Sequence, residues 1–206
     1  MKRKSYLLIF DLDGVLINSK LNMYYSWNKT KKIHLIKKSF KTYFSNIGTP
    51  FEKILDKLNV KKNQNAIYKT YQKESLNYFN KIKLYKNVLL TLKQLRLKKH
   101  KLAIVTSKDL SRTKRIVKRF NLKFDLICSP MSNLRGKPYP DQINYVIKKL
   151  KFSKKNTYYI GDMLVDYKAS KNANIQFIFA KYGYGKDFKL YSKKIRNIFE
   201  VNKFLN

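Results

Sequence analysis

Tyr6-Leu7-Leu8-Ile9-Phe10-Asp11-Leu12-Asp13-Gly14-Val15 is an apolar run that closes on two carboxylates one residue apart and then on a glycine. The run has the length and the branched and aromatic content of a strand buried in a parallel sheet, and Asp-Gly is a turn dipeptide that ends it. Both acids therefore fall at a strand's carboxyl end, the edge of an open α/β sheet where ligands bind. Taken alone, Asp-Gly also makes an ordinary turn with no chemistry attached. The rest of the chain favours the first reading. Acids are scarce, nine Asp and three Glu against 47 Lys plus Arg, yet Asp11, Asp13, Asp162 and Asp166 form two tight clusters, each following an apolar run.

From Tyr85 onward, helical and strand patterns alternate in the manner of a parallel α/β sheet. A helix near 87–98 leads to the strand Lys101-Leu102-Ala103-Ile104-Val105, which ends at Thr106-Ser107-Lys108. A basic helix near 110–120, a short strand at Leu126-Ile127, the loop Gly136-Lys137-Pro138-Tyr139-Pro140 and a helix near 140–150 follow. The strand Thr157-Tyr158-Tyr159-Ile160 then ends at Gly161-Asp162-Met163-Leu164-Val165-Asp166; a helix runs to about 172, and a last strand covers 175–179. Residues 18 to 84 differ in character. They carry apolar residues at three- and four-residue spacing over 19–30, 33–45, 50–59 and 64–81, which predicts helices and no strand. Tyr24, Tyr25, Trp27, Phe40, Tyr43 and Phe44 fall here, and such stripes usually mean the core of a small helical bundle rather than a substrate pocket.

The chain of 206 residues is long enough for one domain carrying an insert, and its hydrophobic fraction of 44% fits a globular protein. No apolar stretch of about 20 residues is present to span a bilayer. Lys2-Arg3-Lys4 precedes too short an apolar run for a signal peptide. A single cysteine, Cys128, and two scattered histidines make neither a disulfide nor a zinc site, so cytoplasmic residence is the default expectation. The formal charge of +35 raises nucleic-acid binding as the rival function. The excess, however, is 40 Lys to 7 Arg spread along the whole chain, beside 19 Asn, 18 Ile and 16 Tyr with 5 Ala, a pattern that resembles A/T-rich codon bias. Specific readout favours the planar guanidinium. Weak nonspecific binding at low salt is expected, and a specific nucleic-acid partner is not.

Parallel strands bring Asp11, Asp13, Thr106 and Asp162 toward one edge, and the combination suits phosphoryl transfer. Clustered carboxylates repel unless a hard cation sits among them, and Mg²⁺ takes carboxylate, phosphate and water oxygens, with Asp11 and Asp162 the natural ligands. A carboxylate there can also attack phosphorus. Asp13 can protonate the leaving oxygen and later deprotonate water. Thr106 offers a hydroxyl and Lys137 a fixed positive charge to phosphate oxygens. Ser107 adds a phosphate contact or caps the next helix.

Asp11-Leu12-Asp13-Gly14-Val15, Thr106-Ser107, Lys137-Pro138 and Gly161-Asp162-Met163-Leu164-Val165-Asp166 resemble the four ordered motifs of the haloacid dehalogenase-like (HAD) hydrolase superfamily, over essentially the whole chain. The resemblance implies a Rossmann-like α/β core over 1–17 and 85–206, with an inserted α-helical cap over 18–84 like that of the phosphoglycolate phosphatase-like branch. Asn46-Ile47-Gly48-Thr49-Pro50 is similar to that branch's substrate-side cap loop. It further implies an Mg²⁺-dependent phosphomonoester hydrolase acting on a small phosphorylated metabolite through an aspartyl-phosphate. Asp11 would be nucleophile and metal ligand, Asp13 general acid/base and ligand through its backbone carbonyl, and Asp162 a metal ligand. Thr106, Ser107 and Lys137 would bind phosphate, with Gly161 and Asp166 supporting. Asp13 argues against dehalogenation, which needs no proton donor at that position. A phosphomutase of the β-phosphoglucomutase kind uses the same residues and stays open.

Blander expectations cover other features. His34 and His100 are expected on the surface, and Arg112, Arg115 and Arg119 on one solvated helical face. Gly183-Tyr184-Gly185 lacks P-loop spacing and needs to be no more than a loop.

Overall fold

A computed structural model describes residues 4–205; Lys2 and Arg3 of the basic amino-terminal stretch lie outside the described residues. The backbone divides into two compact units, one built from the chain up to Ile17 together with Leu84 onward, the other from Asn18–Lys83.

The first unit is a wholly parallel six-stranded sheet. Its strands are β1 (Leu7–Phe10), β4 (Lys101–Val105), β5 (Leu126–Cys128), β6 (Thr157–Gly161), β7 (Gln176–Ala180) and β8 (Lys194–Ile195), in the spatial order β5-β4-β1-β6-β7-β8. The chain builds outward from β1 through β4 to β5, then returns to β1's other side and builds outward again through β6. The order therefore reverses between β1 and β6, and the crevice beyond their carboxyl ends is where such sheets bind ligands. The central strands are buried on both faces, which is why they read as unbroken apolar runs: Leu7, Ile9, Ala103, Val105 and Tyr159 enter one cluster with Ile143 and Val146, while Leu8, Phe10, Leu102 and Ile160 are equally buried. Flanking helices are α5 (Val88–Leu97), α6 (Leu110–Arg119), α7 (Asp141–Leu150) and α8 (Leu164–Asn172).

The second unit holds α1 (Lys20–Ile33), α2 (Phe40–Phe44), α3 (Phe51–Lys57) and α4 (Gln64–Asn77). Trp27 is fully buried and stacks on Tyr43 with ring centroids 4.5 Å apart; Tyr43 donates its hydroxyl to Tyr71 at 2.8 Å. Tyr24 and Tyr25 are exposed, so the aromatic stripe is only partly core. The helix expected over 33–45 is reduced to α2. Leu35 takes a left-handed conformation (φ 53) that ends α1, and the Ile36 N–H turns back to the Lys31 carbonyl at 2.8 Å. The short strands β2 (Ile17–Asn18) and β3 (Lys83–Leu84) pair with each other, although the apolar spacing predicted no strand there. β8 was likewise unexpected. Strands of two residues leave no periodicity to read. Among the described residues no helix is long and apolar enough to cross a membrane.

Candidate active site

Register alone sets the level at which polar groups emerge. Phe10 pairs with Ile104 and Ile160, so Asp11 is level with Val105 and Gly161, and the next residues outward on β4 and β6 are Thr106 and Asp162. Asp11 continues the ladder, its N–H donating to the Ile160 carbonyl at 2.9 Å, and Thr106 does the same with Cys128 at 3.1 Å. Asp11, Thr106 and Asp162 are all buried, whereas Asp13 is half-buried within the tight turn that follows.

Lys137 joins the two aspartate clusters. Its buried Nζ lies 2.9 Å from Asp11 Oδ1 and 2.7 Å from Asp166 Oδ1. Burial works against the ammonium, but the two carboxylates outweigh it and hold the lysine well above its ordinary pKa. Both oxygens of Asp166 take donors: Oδ1 from Lys137 and, at 3.4 Å, from the Tyr159 hydroxyl; Oδ2 from the backbone N–H groups of Met163 at 2.9 Å and Asp162 at 3.2 Å. Asp166 thus caps α8 while fixing Lys137. Gly161 lets this happen, because a Cβ there would lie 2.5 Å from the Asp166 Cβ.

Asp162 is set differently. Its Oδ2 accepts the Tyr184 N–H at 2.6 Å, and its Oδ1 is buried with no hydrogen-bond donor. Carboxylate oxygens of Asp11, Asp162 and Asp166 all approach within 4.8 Å of one another. Burial raises the pKa of Asp162, and Asp166 and Asp11 raise it further. Asp11 is pushed up to about 7, first by burial and then by Asp166 and Asp13, against the opposing pull of Lys137. An undonated, buried carboxylate oxygen facing a second carboxylate fits a hard divalent cation with oxygen ligands. Asp11 and Asp162 are suited to hold one. Asp166, with both oxygens already engaged, stands behind them.

Several readings need correction. The loop Gly183-Tyr184-Gly185 supplies the donor to Asp162, and glycine is required where it passes: a Cβ on Gly183 would lie 2.3 Å from the Asp162 Cβ, and one on Gly185 would lie 1.7 Å from its carbonyl oxygen. Gly14 (φ 89) also approaches Asp162, where a Cβ would meet Oδ2 at 2.2 Å. Asp109, not Ser107, caps α6, accepting the Arg112 N–H at 3.0 Å; Ser107 is half-buried. Arg112 is buried and ion-paired with Asp109, while Arg115 and Arg119 are exposed. His100 is buried and its Nδ1 accepts the Tyr6 N–H at 3.2 Å; His34 is half-buried against Thr70. Lys108 belongs to the site as well: its buried Nζ lies 3.2 Å from Asp13 Oδ2. One lysine among 40 carries no signal by type, though its place directly after Thr106-Ser107 was visible.

A family model described as haloacid dehalogenase-like hydrolase matches residues 8–180. The chain is 28% identical over 184 residues to a phosphoglycolate phosphatase of Aquifex aeolicus, covering 87% of this chain and 86% of that protein. It is 28% identical over 195 residues to the pyrophosphatase PpaX of Halalkalibacterium halodurans, covering 88% and 86%. Among solved structures, a haloacid dehalogenase-like family hydrolase from Streptococcus pneumoniae superposes with TM-score 0.86 at 21% identity over 98% of this chain and 99% of that one. CbbY from Rhodobacter sphaeroides, in complex with phosphate, gives 0.83 at 16% identity over 96% of each chain. At these identities the structural likenesses speak to the fold.

Proposed function

Because the chain belongs to the haloacid dehalogenase-like hydrolase family, we propose that it is an Mg²⁺-dependent phosphomonoester hydrolase that transfers the phosphoryl group of a small phosphorylated metabolite to Asp11 and then to water. The observation that carries this reading is the buried Asp162 Oδ1, without a donor, in a cluster with Asp11 and beside the Lys137 ammonium. Phosphatase and pyrophosphatase relatives support it.

In the first step an Asp11 oxygen bonds to phosphorus as the bond to the leaving oxygen breaks, and the Asp13 carboxyl gives that oxygen its proton. In the second, water bonds to phosphorus and yields a proton to Asp13 as the Asp11–phosphorus bond breaks and inorganic phosphate departs. Lys137, Thr106 and Ser107 hold phosphate oxygens, and Asp166 keeps Lys137 aimed. Mg²⁺ held by Asp11, Asp162 and the Asp13 carbonyl would supply the positive charge that makes an anionic nucleophile and an anionic substrate compatible. Residues 18–84 are read as the cap in which substrate choice resides.

The test is inorganic phosphate release from a panel of phosphoglycolate, pyrophosphate, sugar phosphates and nucleotides, with Mg²⁺ and with chelator. Turnover of at least one member with Mg²⁺ alone is expected. A panel silent in both conditions would overturn the reading.

A further inference from the structure

We infer that Lys108 is a positioning residue for the proton-transfer group Asp13, an assignment that rests on the hydrolase reading above and adds to it a side chain outside its motif residues. Lys108 lies in the turn between β4 and α6, and its backbone is fixed at both ends: its N–H donates to Thr106 Oγ1 at 3.2 Å, and its carbonyl lies 3.4 Å from the Thr113 hydroxyl, which also donates to the Asp109 carbonyl at 2.8 Å. Asp109 in turn caps α6. The stem therefore starts from a rigid point, and the side chain crosses to the turn after β1, where Nζ stands 3.2 Å from Asp13 Oδ2.

Side-chain exposure is 6% for Lys108 and 16% for Asp13, so this is no surface ion pair of negligible worth. Burying an ammonium is costly, and breaking a buried pair leaves the other charge uncompensated, so Lys108 and Asp13 hold each other in place. Asp13 lies in the turn after β1, beyond the sheet ladder, and Lys108 Nζ holds its Oδ2 there. The lysine contacts neither the leaving oxygen nor water in the scheme above; it holds one Asp13 oxygen so that the carboxyl faces the reacting phosphoryl group.

A group that only aims a proton donor matters in proportion to how much the leaving group needs a proton. Benzyl phosphate and 4-nitrophenyl phosphate are close in shape, but the benzyl alkoxide must be protonated to depart and 4-nitrophenolate need not be. The parameter to compare is kcat/KM, which reports the steps through leaving-group departure and is blind to the later hydrolysis common to both esters. For Lys108→Met with Mg²⁺, kcat/KM on benzyl phosphate should fall about 100-fold or more while that on 4-nitrophenyl phosphate falls less than about tenfold, the range that general-acid catalysis spans. Lys108→Arg should recover most of the loss, and Asp13→Asn should show the same split. If Met is not tolerated in the fold, Lys108→Gln carries the same comparison. Equal losses on the two esters, or none, would overturn the Lys108 assignment while the Asp13→Asn split leaves the hydrolase reading standing. A wild-type protein inactive on both esters and silent on the metabolite panel above would overturn the hydrolase reading and this inference together.

Discussion

The two oxygens of Asp162 sit in opposite settings: one accepts the Tyr184 N–H, the other is buried among carboxylates with no donor. In the metal-free protein burial, and after it Asp166 and Asp11, disfavour the charge on Asp162. Asp162→Asn should therefore raise the stability of the metal-free protein by about 1–2 kcal/mol in chelator, the scale of relieving one buried unsatisfied polar group, and should abolish the rise in melting temperature expected of the wild type with Mg²⁺. Thermal melts with and without metal check both. Asp11 has its own pH signature. Its folded pKa of about 7 lies above the ordinary 3.8, so the folded metal-free protein binds this proton more tightly than the unfolded chain. That contribution to stability is fully present at the acid end of the interval and is lost as pH rises toward 7. Cation affinity runs the other way, rising as pH rises through about 7, with proton release on binding. Calorimetric titrations with Mg²⁺ in two buffers of different ionisation enthalpy should differ; equal heats would contradict it.

At the scale of elements, the site is a meeting of strand ends and the loops that press on them. The loop after β7 approaches Asp162 so closely that Gly183→Ala should displace it and lower activity more than about tenfold, with the far-ultraviolet circular dichroism unchanged; full activity would show that this contact does not position Asp162. In the helical unit, Trp27 is fully buried and Trp27→Ala should cost about 3–5 kcal/mol in denaturant unfolding. How much of this was legible varied with the physics. β1, β4 and β6 were readable because strands buried on both faces are continuously apolar. Asp11 and Asp162 stood out because acids are rare here and those two follow such strands. α2 was overextended because Leu35 adopts a backbone conformation that its residue type does not announce, and β8 is too short to show a pattern. His100 and Lys108 were misjudged or missed for one reason: whether a polar residue is buried depends on partners distant in sequence, Tyr6 for His100, 94 residues away, and Asp13 for Lys108.

For the whole molecule the governing fact is +35 of formal charge. A surface of that sign attracts anionic substrates over distances that salt screens within about 10 Å at 0.1 M. Raising ionic strength should lower kcat/KM for a phosphorylated substrate more than it lowers kcat, and binding to nucleic acid should be sequence-independent and vanish over the same salt range. A salt-resistant, sequence-dependent complex would instead make nucleic acid a specific partner. The site chemistry is separable from this field, since Asp11, Lys137, Asp162 and Asp166 are buried.

The central claim is that Asp11 takes the phosphoryl group. Its most direct test is Mg²⁺-dependent phosphate release by the wild type and by Asp11→Asn on the same substrate, with folding matched by circular dichroism. The account predicts turnover by the wild type and none above background by the variant. Near-normal Mg²⁺-dependent turnover by Asp11→Asn would contradict it.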